Sequence, residues 1–236
     1  MSDKTPSTIR MIALDLDGTT LNNAHELSEK TKEVLRRLSR KGFIIAIATG
    51  RSISTITKYV DELDLEVPVP IICFNGSIGF TRMARAEESR LLFSNPMREE
   101  SCREVIAFSE RHEHVIQYYN GFTGEILANP RTEKDRELMK RYADLVGHEQ
   151  TVVSSFDETI QGGPSAKLII LMEDPDELIR LAKEELKGSY NMIKGASYFA
   201  EFLESDMSKG AGLLQMCQQL GKDIINFVVR PFGGLF

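Results

Sequence analysis

The sequence predicts an α/β fold built on a doubly wound parallel sheet, with a smaller α+β unit inserted into it. Three observations carry this. Phe43-Ile44-Ile45-Ala46-Ile47-Ala48 is a continuous apolar run, the pattern of a parallel strand buried on both faces. Runs of this kind alternate with helical spacing between Met11 and Asn75, an order that places helices on the faces of a parallel sheet. From about Thr81 polar, charge-rich segments replace the buried strands, which marks a second unit.

The elements follow in order. Met11-Ile12-Ala13-Leu14 is a short apolar strand. Ser28 caps a helix to about Lys41, with Val34, Leu35 and Leu38 as its buried stripe and Gly42 as its stop. The strand Phe43–Ala48 ends in Thr49-Gly50-Arg51-Ser52, and Ile53, Ile56, Val60 and Leu63 recur at helical spacing. Pro70–Phe74 is a third buried strand, closed by a tight turn at Asn75-Gly76. In the second unit, 97–112 reads as a helix, His114 to Tyr119 as a strand, and Asn120-Gly121 as a hairpin turn into Phe122–Leu127. A helix near 132–145, a strand near Thr151 and the apolar strand Ala166–Met172 follow; Asp174-Pro175 caps a helix to Lys187. Tyr198–Leu203 returns to strand, Ser208 caps a helix through Leu220, and Ile224–Val229 reads as a further core strand.

Chemistry concentrates where strands end. Asp15-Leu16-Asp17-Gly18-Thr19-Thr20 follows the first strand. In extended chain, residues i and i+2 point the same way, so Asp15 and Asp17 aim at one spot and Gly18 turns the chain away. A carboxylate there can attack phosphorus while a second acid moves protons, and Mg²⁺ between two like charges would relieve their repulsion. A bare Asp-x-Asp is more often a turn capping a strand; the longer motif after an apolar strand favours the site. Thr49 and Asn75 fall at the carboxyl ends of neighbouring strands, where ligands bind in doubly wound sheets. Lys209, at the first position of its helix, has two readings. It is either a screened surface lysine or, if the helix start faces the site, the cation that holds phosphate and Asp15.

The 236 residues, 42% hydrophobic, can bury one large core or two small ones. Twenty-nine basic against 35 acidic residues give a net charge of −6, which disfavours nucleic acid or an anionic membrane as main partner. No apolar stretch approaches a membrane span, and MSDKTPSTIR has no signal-like apolar core; the expectation is a cytoplasmic protein acting on small molecules. Cys73, Cys102 and Cys217 are odd in number and in apolar surroundings, as reduced core residues are. His25, His112, His114 and His148 read as surface or locally bonded imidazoles, since His112 and His114 lack a third ligand for a metal.

Taken together the residues resemble the haloacid dehalogenase superfamily, specifically its Cof-type phosphatases with a class IIB cap. Asp15-Leu16-Asp17-Gly18-Thr19 resembles the first motif, Ala48-Thr49-Gly50-Arg51 the second, Phe74-Asn75-Gly76 the substrate-side loop and Ser208-Lys209-Gly210 the third. The resemblance implies a Rossmann-like core, 1–80 with 191–236, interrupted by an α/β cap at 81–190. It implies Asp15 as nucleophile, Asp17 as acid/base that also lends its carbonyl to Mg²⁺, Thr49 on the phosphoryl oxygens and Lys209 offsetting charge. Leu16, Gly50, Arg51, Asn75 and Gly76 would face the substrate, a small phosphorylated metabolite such as a sugar phosphate. The pattern breaks after the strand ending at Val229, where the family has Gly-Asp-Gly-x-Asn-Asp. Here Arg230-Pro231-Phe232-Gly233-Gly234 follows and no carboxylate lies between Asp223 and Phe236. The expectation is a core truncated at its carboxyl end, with Asp15 and Asp17 as its metal ligands. Two alternatives stay open beside the Mg²⁺-dependent phosphatase: an impaired relative that binds phosphometabolites, and a phosphotransferase such as a mutase.

Overall fold

The computed structural model describes residues 11–121, 124–161 and 163–221 and the backbone of Phe227–Val229. In chain order the elements are β1 (Met11–Leu14), α1 (Glu29–Arg40), β2 (Ile44–Ala48), α2 (Ile53–Leu63), β3 (Val69–Cys73), β4 (Ile78–Arg82) and β5 (Arg90–Ser94). Next come α3 (Glu99–Arg111), β6 (Val115–Asn120), β7 (Glu125–Ala128), α4 (Glu133–Val146), β8 (Thr151–Val152), α5 (Asp157–Gln161) and β9 (Leu168–Leu171). The chain continues through α6 (Pro175–Glu185), β10 (Tyr190–Lys194), β11 (Phe199–Glu204), α7 (Lys209–Gln219) and β12 (Phe227–Val229). Residues 122–123, 224–226 and 230–236, which fall in the expected strands and carboxyl-terminal loop, lie outside the described residues.

Two compact units form, one running through Ser94 and resuming at Ser208, the other Asn95–Met207. The first holds a six-stranded sheet in the order β12-β1-β2-β3-β4-β5. Its four strands β12, β1, β2 and β3 are parallel, as crossovers through helices require. The alternation within β2 sends Ala46 and Ala48 to the face where Met11, Ala13 and Ile72 pack against Leu213, Met216 and Cys217 of α7. Ile45 and Ile47, equally buried, point to the opposite face.

The units divide at 94/95 and 207/208, where the sequence suggested 80/81 and 190/191. Both differences come from strand pairing. β4 and β5 form a hairpin that adds antiparallel to β3, so residues 81–94 extend the first sheet. β10 and β11 pair with each other and then with β9, so 191–204 complete the second sheet, ordered β10-β11-β9-β6-β7-β8. One face of that second sheet, with Tyr118, Ile170 and Phe202, packs on Val105 and Phe108 of α3 and Leu178 and Ala182 of α6. On the other side the Tyr119 and Tyr142 hydroxyls share a hydrogen bond, and Lys167 pairs with Glu201 at 2.9 Å while only 3% exposed. The three cysteines are free and buried. Among the described residues no helix is long and apolar enough to cross a membrane.

Candidate active site

β1 ends by delivering Asp15 in extended conformation (φ −85°, ψ 153°). Leu16–Thr20 then makes a wide turn, closed by the Leu21 N–H donating to the Leu16 carbonyl at 2.9 Å. Leu16 is buried and anchors the turn; Asp17 is again extended and Gly18 left-handed at φ 65°. Asp15 is only 9% exposed. Its Oδ1 accepts the Leu16 N–H at 2.8 Å and lies 3.0 Å from Lys209 Nζ. Burial raises the Asp15 pKa above its ordinary value, more than Lys209 and the Leu16 N–H lower it, and the Asp17 charge adds to the rise. Lys209 and the Leu16 N–H are therefore what favour the ionised form of this carboxyl.

Lys209 arrives there because of how α7 starts. Ser208 takes the N-cap position and its hydroxyl accepts the Ala211 N–H at 3.1 Å, satisfying one of the helix's free donors. Lys209 is then the first helical residue, and its stem extends to Asp15. Of what the cationic reading of Lys209 requires, the contact with Asp15 at 3.0 Å is the part on view. α7 can start so close only because Gly76 lacks a side chain: a Cβ there would stand 2.2 Å from the Ser208 carbonyl oxygen, and its φ of 121° suits glycine.

Thr49 and the Asn75 loop are tied into one frame at the strand ends. The fully buried Thr49 donates its N–H to the Ile72 carbonyl at 2.9 Å and accepts the Asn75 N–H at 3.0 Å on its own carbonyl. Its hydroxyl oxygen accepts the Arg51 N–H at 3.2 Å, and the Phe74 N–H reaches the Arg51 carbonyl at 3.2 Å. Phe74 and Asn75 have φ of 49° and 54°, so the expected turn at Asn75-Gly76 starts one residue earlier. Gly50 lies against the Asn75 amide, which would sit 2.9 Å from a Cβ on it. Asp15, Thr49, Gly50, Asn75, Gly76 and Lys209 thus share one end of the first sheet.

Arg51 and Asp17 form the second half of the site. Arg51 grips Asp17 with Nε at 2.8 Å from Oδ2 and Nη2 at 2.5 Å from Oδ1, the bidentate geometry guanidinium favours. The sequence placed Arg51 toward the substrate or the cap; its guanidinium is paired with Asp17. Burial pushes the Asp17 pKa up, but the Arg51 bonds and charge, with His25, outweigh it and hold this carboxyl below its ordinary value. His25 is the residue the sequence reading missed. Its Nδ1 lies 3.3 Å from Asp17 Oδ1 and 3.1 Å from Arg51 Nη2, so it is a locally bonded imidazole, as the sequence allowed, but one beside the site. No periodicity or motif spacing singles it out, because it sits in a loop whose shape comes from side-chain bonds to Asn22.

The profile of the haloacid dehalogenase-like hydrolases matches residues 12–229. The chain belongs to this family. Phosphatase YwpJ of Bacillus subtilis (strain 168) is 28% identical to this hydrolase over 240 residues, covering 90% of the chain and 79% of its own length. The 5-amino-6-(5-phospho-D-ribitylamino)uracil phosphatase YwtE of the same organism is 25% identical over 231 residues, with 90% and 78% covered. In structure the hydrolase resembles the subclass IIB sugar phosphatase BT4131, with a TM-score of 0.70 at 18% identity over 90% of the chain and 76% of that protein.

Among the described residues of this hydrolase, no three His, Cys, Asp or Glu side chains converge as a metal site. The Asp15 carboxylate is a donor at hand, the Asp17 carboxylate is held by Arg51, and the Asp17 main-chain carbonyl is the second donor the family resemblance implies. These are hard oxygens of the kind Mg²⁺ takes, and they leave roughly four of its six positions to water and phosphate oxygens. The set fits Mg²⁺ in kind, and among the described residues it numbers two.

Proposed function

We propose that this hydrolase cleaves phosphomonoesters of small metabolites, of the sugar-phosphate class, through a phosphoryl group carried on Asp15. The observation that carries the reading is the buried Asp15 carboxylate with Lys209 Nζ at 3.0 Å. An Asp15 oxygen bonds to phosphorus as the ester P–O bond breaks, and Asp17 in its protonated form passes a proton to the departing alkoxide. Because Arg51 and His25 favour the ionised carboxyl, that form is the minor one at neutral pH, and the rate of this step should rise as pH falls. Asp17 then takes a proton from water, the water oxygen bonds to phosphorus and the P–O bond to Asp15 breaks, releasing inorganic phosphate. Thr49 orients the phosphoryl oxygens, with Leu16, Gly50, Asn75 and Gly76 around them, and Lys209 offsets the charge that gathers there. Mg²⁺, held by the Asp15 carboxylate and the Asp17 carbonyl, would supply further charge neutralisation. The unit Asn95–Met207 is assigned the choice of leaving group, as a cap, and the cytoplasm is the assigned compartment.

The test is phosphate release from a panel of hexose and pentose phosphates by the purified chain with Mg²⁺, then with a chelator. Turnover that the chelator abolishes supports the reading; no turnover on any ester contradicts it. Lys209→Met keeps the stem and removes the charge. It is expected to lower kcat about 100-fold, as loss of one preorganised electrostatic partner does, with KM changed far less, measured by steady-state kinetics. Arg230-Pro231-Phe232-Gly233-Gly234, which stands where the family has its acidic loop, favours one second reading, a protein that binds phosphometabolites without turning them over. Calorimetry with a sugar phosphate and Mg²⁺ would show binding without phosphate release in that case.

A further inference from the structure

We infer that His25 is a positioning residue for Asp17, acting through the terminal nitrogen of Arg51, and that the loop Asn22–Glu26 is built to hold it there. This rests on the phosphatase reading, because it concerns the carboxyl that moves the proton.

Four segments of one unit meet at this point. Asp17 comes from the turn after β1, His25 from the loop before α1, Arg51 from the end of β2 and Tyr59 from α2. Arg51 fixes the plane of the Asp17 carboxylate through two bonds, and a third contact is needed to fix where along the turn that plane sits. His25 supplies that contact from another segment, with Nδ1 within reach of both Arg51 Nη2 and Asp17 Oδ1. Either tautomer serves: an unprotonated Nδ1 accepts from Arg51, a protonated one donates to Asp17.

The backbone shows that this placement is enforced. His25 has φ 55°, a left-handed conformation uncommon for a residue with a side chain and kept only where the surroundings over-determine it. The surroundings do so. Asn22 Oδ1 accepts the N–H groups of both Ala24 and Glu26 at 2.9 Å. The His25 N–H donates to the Asn22 carbonyl at 2.9 Å and the Asn22 N–H to that of Glu26 at 3.0 Å. The buried Tyr59 donates its hydroxyl to the His25 carbonyl at 3.0 Å, and the Arg51 guanidinium lies 5.6 Å from the centre of the Tyr59 ring. One tyrosine therefore supports both partners of Asp17. Proton transfer needs the carboxyl within hydrogen-bond reach of the ester oxygen, so loosening this support should weaken the acid without touching the nucleophile.

The test compares wild type, His25→Gly and His25→Asn. Glycine takes φ 55° without strain and deletes the ring, while asparagine tolerates that backbone and keeps a polar side chain. The readout is kcat/KM, which covers steps up to departure of the leaving group, on an alkyl phosphate and on 4-nitrophenyl phosphate, whose phenolate leaves without a proton. The expected result for His25→Gly is a loss of about 10-fold on the alkyl ester and under about 3-fold on the nitrophenyl ester, with His25→Asn recovering most of it. Equal losses on the two esters, no loss on either, or no recovery by His25→Asn overturns the inference alone. Wild-type protein that hydrolyses neither ester overturns the phosphatase reading and the inference with it.

Discussion

Asp15→Asn is expected to lower phosphate release by at least about 1,000-fold, the scale on which an enzyme loses activity with its nucleophile. The change is nearly isosteric, and the amide oxygen can still accept the Leu16 N–H that now bonds Oδ1 at 2.8 Å. Lys209 loses its ion pair with Asp15, but its side chain is 31% exposed and open to water. Stability should therefore shift by less than about 1 kcal/mol, as urea unfolding would show. A fall in activity with the fold intact assigns the loss to chemistry. Retention of a tenth or more of the wild-type rate would mean that Asp15 does not carry the phosphoryl group.

Gly76→Ala is expected to be the most damaging single methyl group in the first unit. Its Cβ would sit 2.2 Å from the carbonyl oxygen of Ser208 and 2.7 Å from its carbon. These are backbone atoms, so the start of α7 must move, and Lys209 moves with it. The expected cost is about 3 kcal/mol or more, combining the strained φ with overpacking, together with a loss of activity. Gly147→Ala separates the two contributions: Gly147 caps α4 at φ 70° with no atom within 4 Å of its would-be Cβ, so it should cost only about 1 kcal/mol. Equal losses in the two variants, measured by urea unfolding, would contradict the close packing of the Asn75 loop on α7.

The central half of the fold was legible because its strands are buried on both faces and its helices carry caps. Ser28, Asp174 and Ser208 are the N-caps their positions suggested. β5 was not legible as a core strand because a sheet edge need not be apolar: Arg90 and Leu91 are exposed in it, and β4, paired on both sides, is buried only over Ile78–Phe80 before it turns polar. β10, partly exposed along its length, escaped for the same reason, and with it the true limit of the second unit. The site divides similarly. Asp15 and Lys209, 194 positions apart in the chain, each carry a local signal, a strand-end acid and a capped helix start, and the sheet brings them to 3.0 Å. His25 carries none, since its place depends on a strained loop and on a tyrosine from α2. Arg51 stood out in the sequence, but its pairing with Asp17 did not, because nothing local says that a guanidinium at the end of β2 reaches the turn after β1.

The measurement that bears most directly on this account is chemical trapping of the phosphorylated carboxyl. Protein mixed briefly with a sugar phosphate and Mg²⁺ would be quenched in acid, reduced with borohydride and mapped by peptide mass. An acyl phosphate is reduced to the alcohol while a free carboxylate is not. The account predicts that reduction falls on the side chain of Asp15, in proportion to the phosphoenzyme present, and disappears in Asp15→Asn. Phosphate released at the same rate with Asp15 unreduced in every sample, or reduction at another carboxyl, would contradict it.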